Sequence, residues 1–360
     1  MVDERAIARL RLIRTPTIGP VTYAQLIARF GDAGAAISAL PDLAARGGGR
    51  APIVAERAVA ERELAFAARI GAQHVFRGDP DYPVLLTELD DAPAAMMLRG
   101  DPGLLRRRTV AMVGARNASA AACRFARQLA AELGREDVTI VSGLARGIDT
   151  AAHIGSIEGG TVAVIAGGID IAYPPENAEL QEQVASKGLL IAEQPPGTEP
   201  RARHFPYRNR IIAGLSLGTV VVEAAPKSGS LIAARLAGEQ GREVMAVPGS
   251  PLDPRAQGCN GLIRDGATLI QSAADVLECL APIDTRMVRA PAASFGAPPP
   301  QDADDHERRA VIDLLGPVPV AIDELIRQAA LAPAVVQTVL LELELAGRLD
   351  RHAGGKVSLS

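Results

Sequence analysis

The stretch TVAMVGARNAS (109–119) decides the fold: five uncharged residues, four of them apolar, run at strand length into a glycine-bearing turn and then a candidate helix cap. An unbroken apolar run, as opposed to an alternating one, suits a parallel strand covered on both faces. The pattern returns in VTIVSG (138–143), TVAVIAGG (161–168), GTVVVEA (218–224) and EVMAVPG (243–249), with helical segments such as 119–134 and 230–240 between them. Strand, turn, helix, strand in that order builds right-handed βαβ units. The predicted class is α/β, a Rossmann-like, doubly wound, mostly parallel sheet over residues 71–280.

Outward from that sheet the pattern changes on both sides. Residues 1–70 read as short helices, and TPTIGPVTYAQLIARF (15–30) sets a Gly-Pro turn before an apolar stripe of Leu26, Ile27 and Phe30. This suits a small SAM-like or helix-hairpin-helix domain, which either offers backbone N–H groups to a phosphate or serves only as a packing module. Residues 281–303, rich in Pro and Ala without apolar periodicity, read as a linker. From 304 to 360, helices near 305–315, 321–329 and 333–346 precede a two-stranded wing, RLDRHAGGKVSLS (348–360), which is winged-helix patterning. A DNA-reading winged helix carries basic or amide side chains on its third helix. Here that helix has Gln337 as its amide, no Lys or Arg and two Glu, a composition that fits a protein partner better than a phosphate backbone.

Composition bounds the function. With 360 residues, 48% hydrophobic and 22% charged, the chain is long enough for two or three domains and too apolar to be mostly disordered. The formal net charge of −4 argues at first against a nucleic-acid partner, but residues 301–360 hold ten acids against six bases, and the rest of the chain is balanced. Within it, Arg106, Arg107 and Arg108 run together, and RARHFPYRNR (201–210) has four Arg, one His and no acid. Cys123, Cys259 and Cys279 are odd in number and far apart, which excludes a disulfide framework and a zinc site by spacing and favours a reducing compartment. The charged start, MVDERAIARLRLIR, lacks a leader's apolar core, and no uncharged apolar run reaches membrane-spanning length. A cytoplasmic protein without a membrane segment, metal or cofactor is expected.

Ligands of a doubly wound sheet bind beyond the carboxyl ends of the strands. Three turns there can hold an anion. In VGARNAS (113–119), Arg116 stands where the second Gly of a dinucleotide fingerprint would let a pyrophosphate approach, which disfavours a bound dinucleotide; Gly114 shapes the turn, Arg116 can grip a phosphate bidentately, and Ser119 can cap the helix or donate to the same anion. In SGLARGIDTAAH (142–153), Gly143 and Gly147 permit a tight bend, Arg146 adds a cation, and Asp149 with His153 reads as a helix cap and a structural hydrogen bond before it reads as a catalytic pair. In VVVEAAPKSGSLIAARLAGEQ (220–240), Lys227, Ser228, Gly229 and Ser230 form an anion cradle that lacks the Walker A order. Between these, Phe205 and Tyr207 are interleaved with Arg203, Arg208, Asn209 and Arg210. Because aromatics are only 3% of the chain, this pairing weighs toward a stacking platform for single-stranded nucleic acid.

The sequence resembles the DNA-processing protein A (DprA, Smf) family. DPDYPVLL (79–86), LRGD (98–101), VSGLARGIDTAAH (141–153), DIAYPPEN (170–177), EQPPGTEP (193–200), FPYRNRIIAGLS (205–216), KSGSLIAARLAGEQGREVMAVPG (227–249) and CNGLIRDGA (259–267) occur in the family's order. The resemblance implies binding of single-stranded DNA without catalysis, dimerisation, and loading of the RecA recombinase during natural transformation. It carries family DNA contacts onto Arg116, Phe205 and Lys227. One departure is Ala121-Ala122, where many relatives have Tyr-Gly. A competing reading is a nucleotide-processing hydrolase of the lysine-decarboxylase-like Rossmann group, whose PGGxGTxxE signature is kept in loop form but not in chemistry at EAAPKSGSLIAARLAG (223–238).

Overall fold

The computed structural model describes residues 3–281, 301–352 and 354–360. Most of the predicted linker, residues 282–300, lies outside the described residues. The chain divides into two compact units, one made of Met1–Arg62 with Pro291–Ser360 and the other of Glu63–Ala290.

In chain order the first unit contributes α1 (Glu4–Ile13), α2 (Pro20–Phe30) and α3 (Ala33–Arg46), followed by α4 (Arg57–Arg69), which crosses into the second unit. Local chemistry fixes the starts: Asp3 and Asp32 accept first-turn N–H groups of α1 and α3, and Pro20 opens α2 where its missing N–H is not needed.

The second unit holds β1 (Ala72–Phe76), α5 (Val84–Thr87), β2 (Ala95–Gly100), β3 (Arg108–Val113), α6 (Ala120–Arg135), β4 (Val138–Ser142), α7 (Ile148–Ser156), β5 (Thr161–Ile165), α8 (Ala178–Lys187), β6 (Leu189–Ala192), α9 (His204–Gly214), β7 (Gly218–Val221), α10 (Ser230–Glu239), β8 (Glu243–Ala246), α11 (Gln257–Arg264), β9 (Thr268–Leu269) and α12 (Ala273–Leu280). The sheet order is β1-β2-β6-β5-β4-β3-β7-β8-β9. All pairs from β6 to β9 are parallel, while β2 pairs antiparallel with both β1 and β6. The Rossmann-like expectation is met, and the apolar runs explain it residue by residue. Val110 and Met112 of β3 face the core beneath α6 and α7, whereas Ala111 and Val113 face the opposite core, which includes α9 and α10. Period-2 alternation therefore fills two cores at once, so no polar residue breaks the run. The order of strands reverses between β3 and β7, the place where such sheets open a ligand crevice.

The remainder of the first unit is α13 (Asp305–Asp313), β10 (Val320–Ala321), α14 (Ile322–Ala329), α15 (Pro333–Leu345), β11 (Leu349–His352) and β12 (Lys356–Leu359). The three helices and the wing fall where the sequence places them, with β10 adding a third strand in the order β10-β12-β11. This winged helix is not free-standing, because α15 packs against α3. Gln25 Nε2 donates to Gln337 Oε1 (2.9 Å), Arg29 donates to Thr338 Oγ1 (3.2 Å), and Arg348 donates to the Gly47 carbonyl (3.0 Å). The last three residues of the predicted linker are also held: Ala303 is buried, the Gln301 carbonyl accepts from Thr338 Oγ1 (2.8 Å), and Asp302 pairs with Arg29 and Arg46. Among the described residues no single helix is long and apolar enough to cross a membrane.

Candidate nucleic-acid interface

The turns after β3, β4 and β7 meet at the carboxyl rim of the sheet. The amide of Ala115 donates to the Glu223 carbonyl (2.7 Å), and that of Ile148 to the Ala115 carbonyl (3.3 Å), which ties the three together through backbone. Gly114 is required by packing: a Cβ there would stand 2.5 Å from Ile148 Cγ1. Gly147 adopts φ +74°, a conformation other residues avoid. Ser119 caps α6 by accepting from the Ala122 amide (3.1 Å) while its hydroxyl donates to Glu223 Oε2 (2.8 Å). Of its two sequence-stated roles the cap is the one seen. Arg116, two residues beyond Gly114, is exposed.

Helix α9 sorts the FPYRNR residues by angle, since successive positions turn about 100°. Phe205 faces the cleft, with the Arg116 guanidinium 5.0 Å above its ring centroid and the Tyr173 ring 5.7 Å away. Arg208, one turn on, points inward and is buried, donating to the carbonyls of Gly143 and Val164, the second at 2.8 Å. Burial pulls its pKa down to about 10, against the pull of nearby Asp149. Arg210 is buried too and pairs with Glu193 (2.6 Å) and Asp91 (3.5 Å). Both arginines brace the fold, yet each keeps a buried nitrogen without a hydrogen-bond partner among the described residues, Nε of Arg208 and Nη1 of Arg210, and the Arg208 guanidinium lies 6.0 Å from the Phe205 ring centroid at the cleft wall. Asn209 turns toward the third cradle and lies 3.5 Å from the Gly229 carbonyl. Tyr207, two positions from Phe205 and so roughly 200° around the helix, is 60% exposed away from the cleft. The aromatic platform therefore pairs Phe205 with Tyr173 and not with Tyr207.

At the third cradle Lys227 is exposed, and the Ser228 and Ser230 hydroxyls lie 2.7 Å apart. Gly229 begins α10 with φ −62°, and a Cβ on it would meet nothing within 4 Å, so that side of the turn is open. At the second turn Arg146 is exposed but paired with Glu176. Asp149 is not the N-cap of α7, a place held by Gly147; its carboxylate accepts from the amides of Gly143 (3.2 Å) and Ala145 (3.3 Å), inside the turn. Burial raises its pKa. His153 is fully buried, shares a 2.7 Å hydrogen bond with Thr161 on β5, and is pushed down to a pKa of about 3 by burial. An imidazole so enclosed has no route to a substrate.

The best-formed cleft, about 300 Å³, is lined by Arg116, Asn117, Arg146, Tyr173, Phe205 and Arg208 among others. A family model described as DNA recombination-mediator protein A matches residues 73–281, which hold all of the sheet that carries this rim except its first residue, Ala72. The chain belongs to that family. Two further models match its flanks, a DprA-like N-terminal HHH domain over 3–66 and a DprA winged helix domain over 295–355. Relatives include the DNA processing protein DprA of Bacillus subtilis, 46% identical over 220 residues covering 60% of this chain and 74% of the relative, and the protein Smf of Escherichia coli, 39% identical over 293 residues covering 79% and 77%. Among solved structures, DNA processing protein A of Streptococcus pneumoniae is similar with a TM-score of 0.62 at 36% identity, covering 77% of this chain and 98% of that one. The Helicobacter pylori protein, whose structure is described as giving insight into its single-stranded DNA binding mode, has a TM-score of 0.54 at 28% identity, covering 59% and 97%.

The rim brings together Gly114, Arg116, Ser119, Arg146, Phe205, Asn209 and the 227–230 turn, with Arg208 in the cleft wall beside Phe205 and Arg210 buried beneath as a brace. Sequence reasoning left out Tyr173 and Asn117. The signal for Tyr173 lay in DIAYPPEN (170–177), an aromatic among prolines in a chain with four Tyr and no Trp.

Proposed function

We propose that this chain binds single-stranded DNA along the carboxyl rim of its sheet, gripping the sugar-phosphate backbone without altering it. The supporting observation is the continuity of Arg116, Phe205, Asn209 and the Gly229 turn, linked by the 5.0 Å cation–π contact and the 3.5 Å approach of Asn209 to the Gly229 carbonyl. Arg116 and Lys227 supply exposed cations, Gly229 open backbone, and Phe205 a π face. Single-stranded DNA is also the ligand ascribed to the Helicobacter pylori relative. As part of it, the protein acts in the cytoplasm as a homodimer that protects incoming single strands and loads RecA recombinase on them during natural transformation. The hydrolase reading lacks its acid: with Gly229-Ser230 aligned on the Gly-Thr of that signature, the buried Ala233 stands where the catalytic Glu belongs.

The test is binding to single-stranded and duplex oligonucleotides over a salt series, with Arg116→Ala and Lys227→Ala beside wild type. Each substitution should weaken binding to all sequences and flatten the log–log salt slope by about 0.7 per lost phosphate contact. Slopes that stay at the wild-type value in both variants would remove the rim from the reading. Release of free base from nucleoside monophosphates would replace it with hydrolysis.

A further inference from the structure

A phosphate clamp alone does not distinguish a single strand from a duplex, since both present the same backbone. Discrimination requires a surface that only an unstacked base can reach. Among the described residues Tyr173 and Tyr207 are the exposed aromatics, and only Tyr173 adjoins the cleft. Tyr173 is 45% exposed, and its ring leans on Phe205 at 52° between planes, with centroids 5.7 Å apart. The two rings are already in contact, so no base fits between them. Tyr173 instead lines the same cleft as Arg116 and Phe205.

The loop beneath Tyr173 is fixed at several points. The Gly168 amide donates to the Thr198 carbonyl (2.9 Å), and Asp170 accepts from the Gly197 amide (2.8 Å). Asn177 donates to the Leu144 carbonyl (2.9 Å) and to Thr150 Oγ1 (2.9 Å). A ring held out into solvent on a braced loop has lost little further freedom when a ligand stacks on it, which is the preorganisation a stacking site needs.

We propose that Tyr173 is a specificity-determining residue of this interface, stacking one base of the bound strand and so admitting single strands in preference to duplex. The assignment rests on the single-strand reading above. The experiment uses the full chain with two probes of equal length, an oligothymidylate and an abasic strand of the same phosphate number. Tyr173→Ala should weaken thymidylate binding about 5- to 150-fold, the range for losing one base–aromatic stack, and leave the abasic strand unaffected. Tyr173→Phe should restore the loss, since the π face and not the hydroxyl carries the contact. Because the sequence has no Trp, Tyr173→Trp creates a single indole whose emission should be quenched by the thymidylate and not by the abasic strand. An unquenched indole, or a Tyr173→Ala loss equal on both strands, overturns the assignment while the phosphate grip stands. Wild-type protein that binds neither strand overturns both.

Discussion

Ser119 and Glu223 hold each other across the point where the strand order reverses: the Ser119 amide donates to Oε1 at 3.0 Å and its hydroxyl to Oε2 at 2.8 Å. One carboxylate at the end of β7 thereby fixes the turn that presents Arg116 after β3. Two charge-assisted bonds to a largely buried acid are worth more than neutral ones, and removing the acid leaves the Ser119 amide without its partner.

Glu223→Ala should lower unfolding free energy by about 1–3 kcal/mol and weaken oligonucleotide binding without removing any cation. Glu223→Gln, which keeps an acceptor for the amide, should lose less of both. Chemical denaturation with binding on the same samples checks this; a Glu223→Ala protein with unchanged stability would refute the role of the pair.

Gly114 and Gly229 look alike in sequence, each in a turn before a helix, yet they should respond oppositely to Ala. A Cβ at Gly114 enters Ile148, with Cβ–Cγ1 at 2.5 Å, so the substitution should cost about 1–3 kcal/mol as overpacking does. At Gly229 the backbone is already helical and the space empty, so Gly229→Ala should hold or gain about 0.4–1 kcal/mol. It should nevertheless weaken binding of oligonucleotides, because the methyl occupies the open side of the cradle. Thermal melts paired with binding isotherms decide it, and a Gly229→Ala protein that binds as wild type would place the strand elsewhere.

The contrast shows which parts of the molecule the sequence made legible. β3, β4, β5 and β7 were readable because residues buried on both faces leave a short apolar run, here rich in Val, Ile and Thr and ended by glycine-bearing turns, and Gly147 because its turn demands a positive φ. Arg208 and Arg210 were not. An arginine that binds phosphate and one that braces carbonyls carry the same letter, and the carbonyls of Gly143 and Val164 lie 65 and 44 residues from Arg208. Helical phase was part of the missed clue, since the 100° step turns Tyr207 and Arg210 away from Phe205 while Arg208, three residues on, stays beside its ring at 6.0 Å. Tyr173 enters the site from a different loop, and only the fold brings it to Phe205.

His153 gives the fold an acid limit. Burial keeps it neutral down to a pKa of about 3, whereas in the unfolded chain it takes up a proton near its ordinary 6.5. Between those values the unfolded state binds more protons, so this group's contribution to stability is complete above pH 6.5 and is lost as pH falls toward 3, at about 1.4 kcal/mol per pH unit. Asp149, whose pKa burial raises, acts in the opposite direction over its own range. The difference between wild type and His153→Gln isolates the histidine: the gap in unfolding free energy should narrow from pH 7 to pH 5. A gap independent of pH would mean that His153 takes up its proton in the folded protein at the same pH as in the unfolded chain.

The third helix of the winged-helix segment is the last element to test, because its surface is already taken. Along α15 only Pro333 is exposed, and Gln337, the one amide of a helix whose composition speaks against DNA, is bonded to Gln25. Gln337→Ala should therefore leave oligonucleotide affinity unchanged. The contact itself is tested at Gly47, whose φ of −72° suits any residue but where a Cβ would overlap the Glu342 backbone carbonyl. Gly47→Ala should cost about 1–3 kcal/mol and speed hydrogen exchange in α15 and α3 together, while Gly19→Ala, with nothing within 4 Å, should do neither. Fast exchange confined to α15 would mean that the winged helix opens on its own. Loss of DNA affinity in Gln337→Ala would mean that it opens onto DNA.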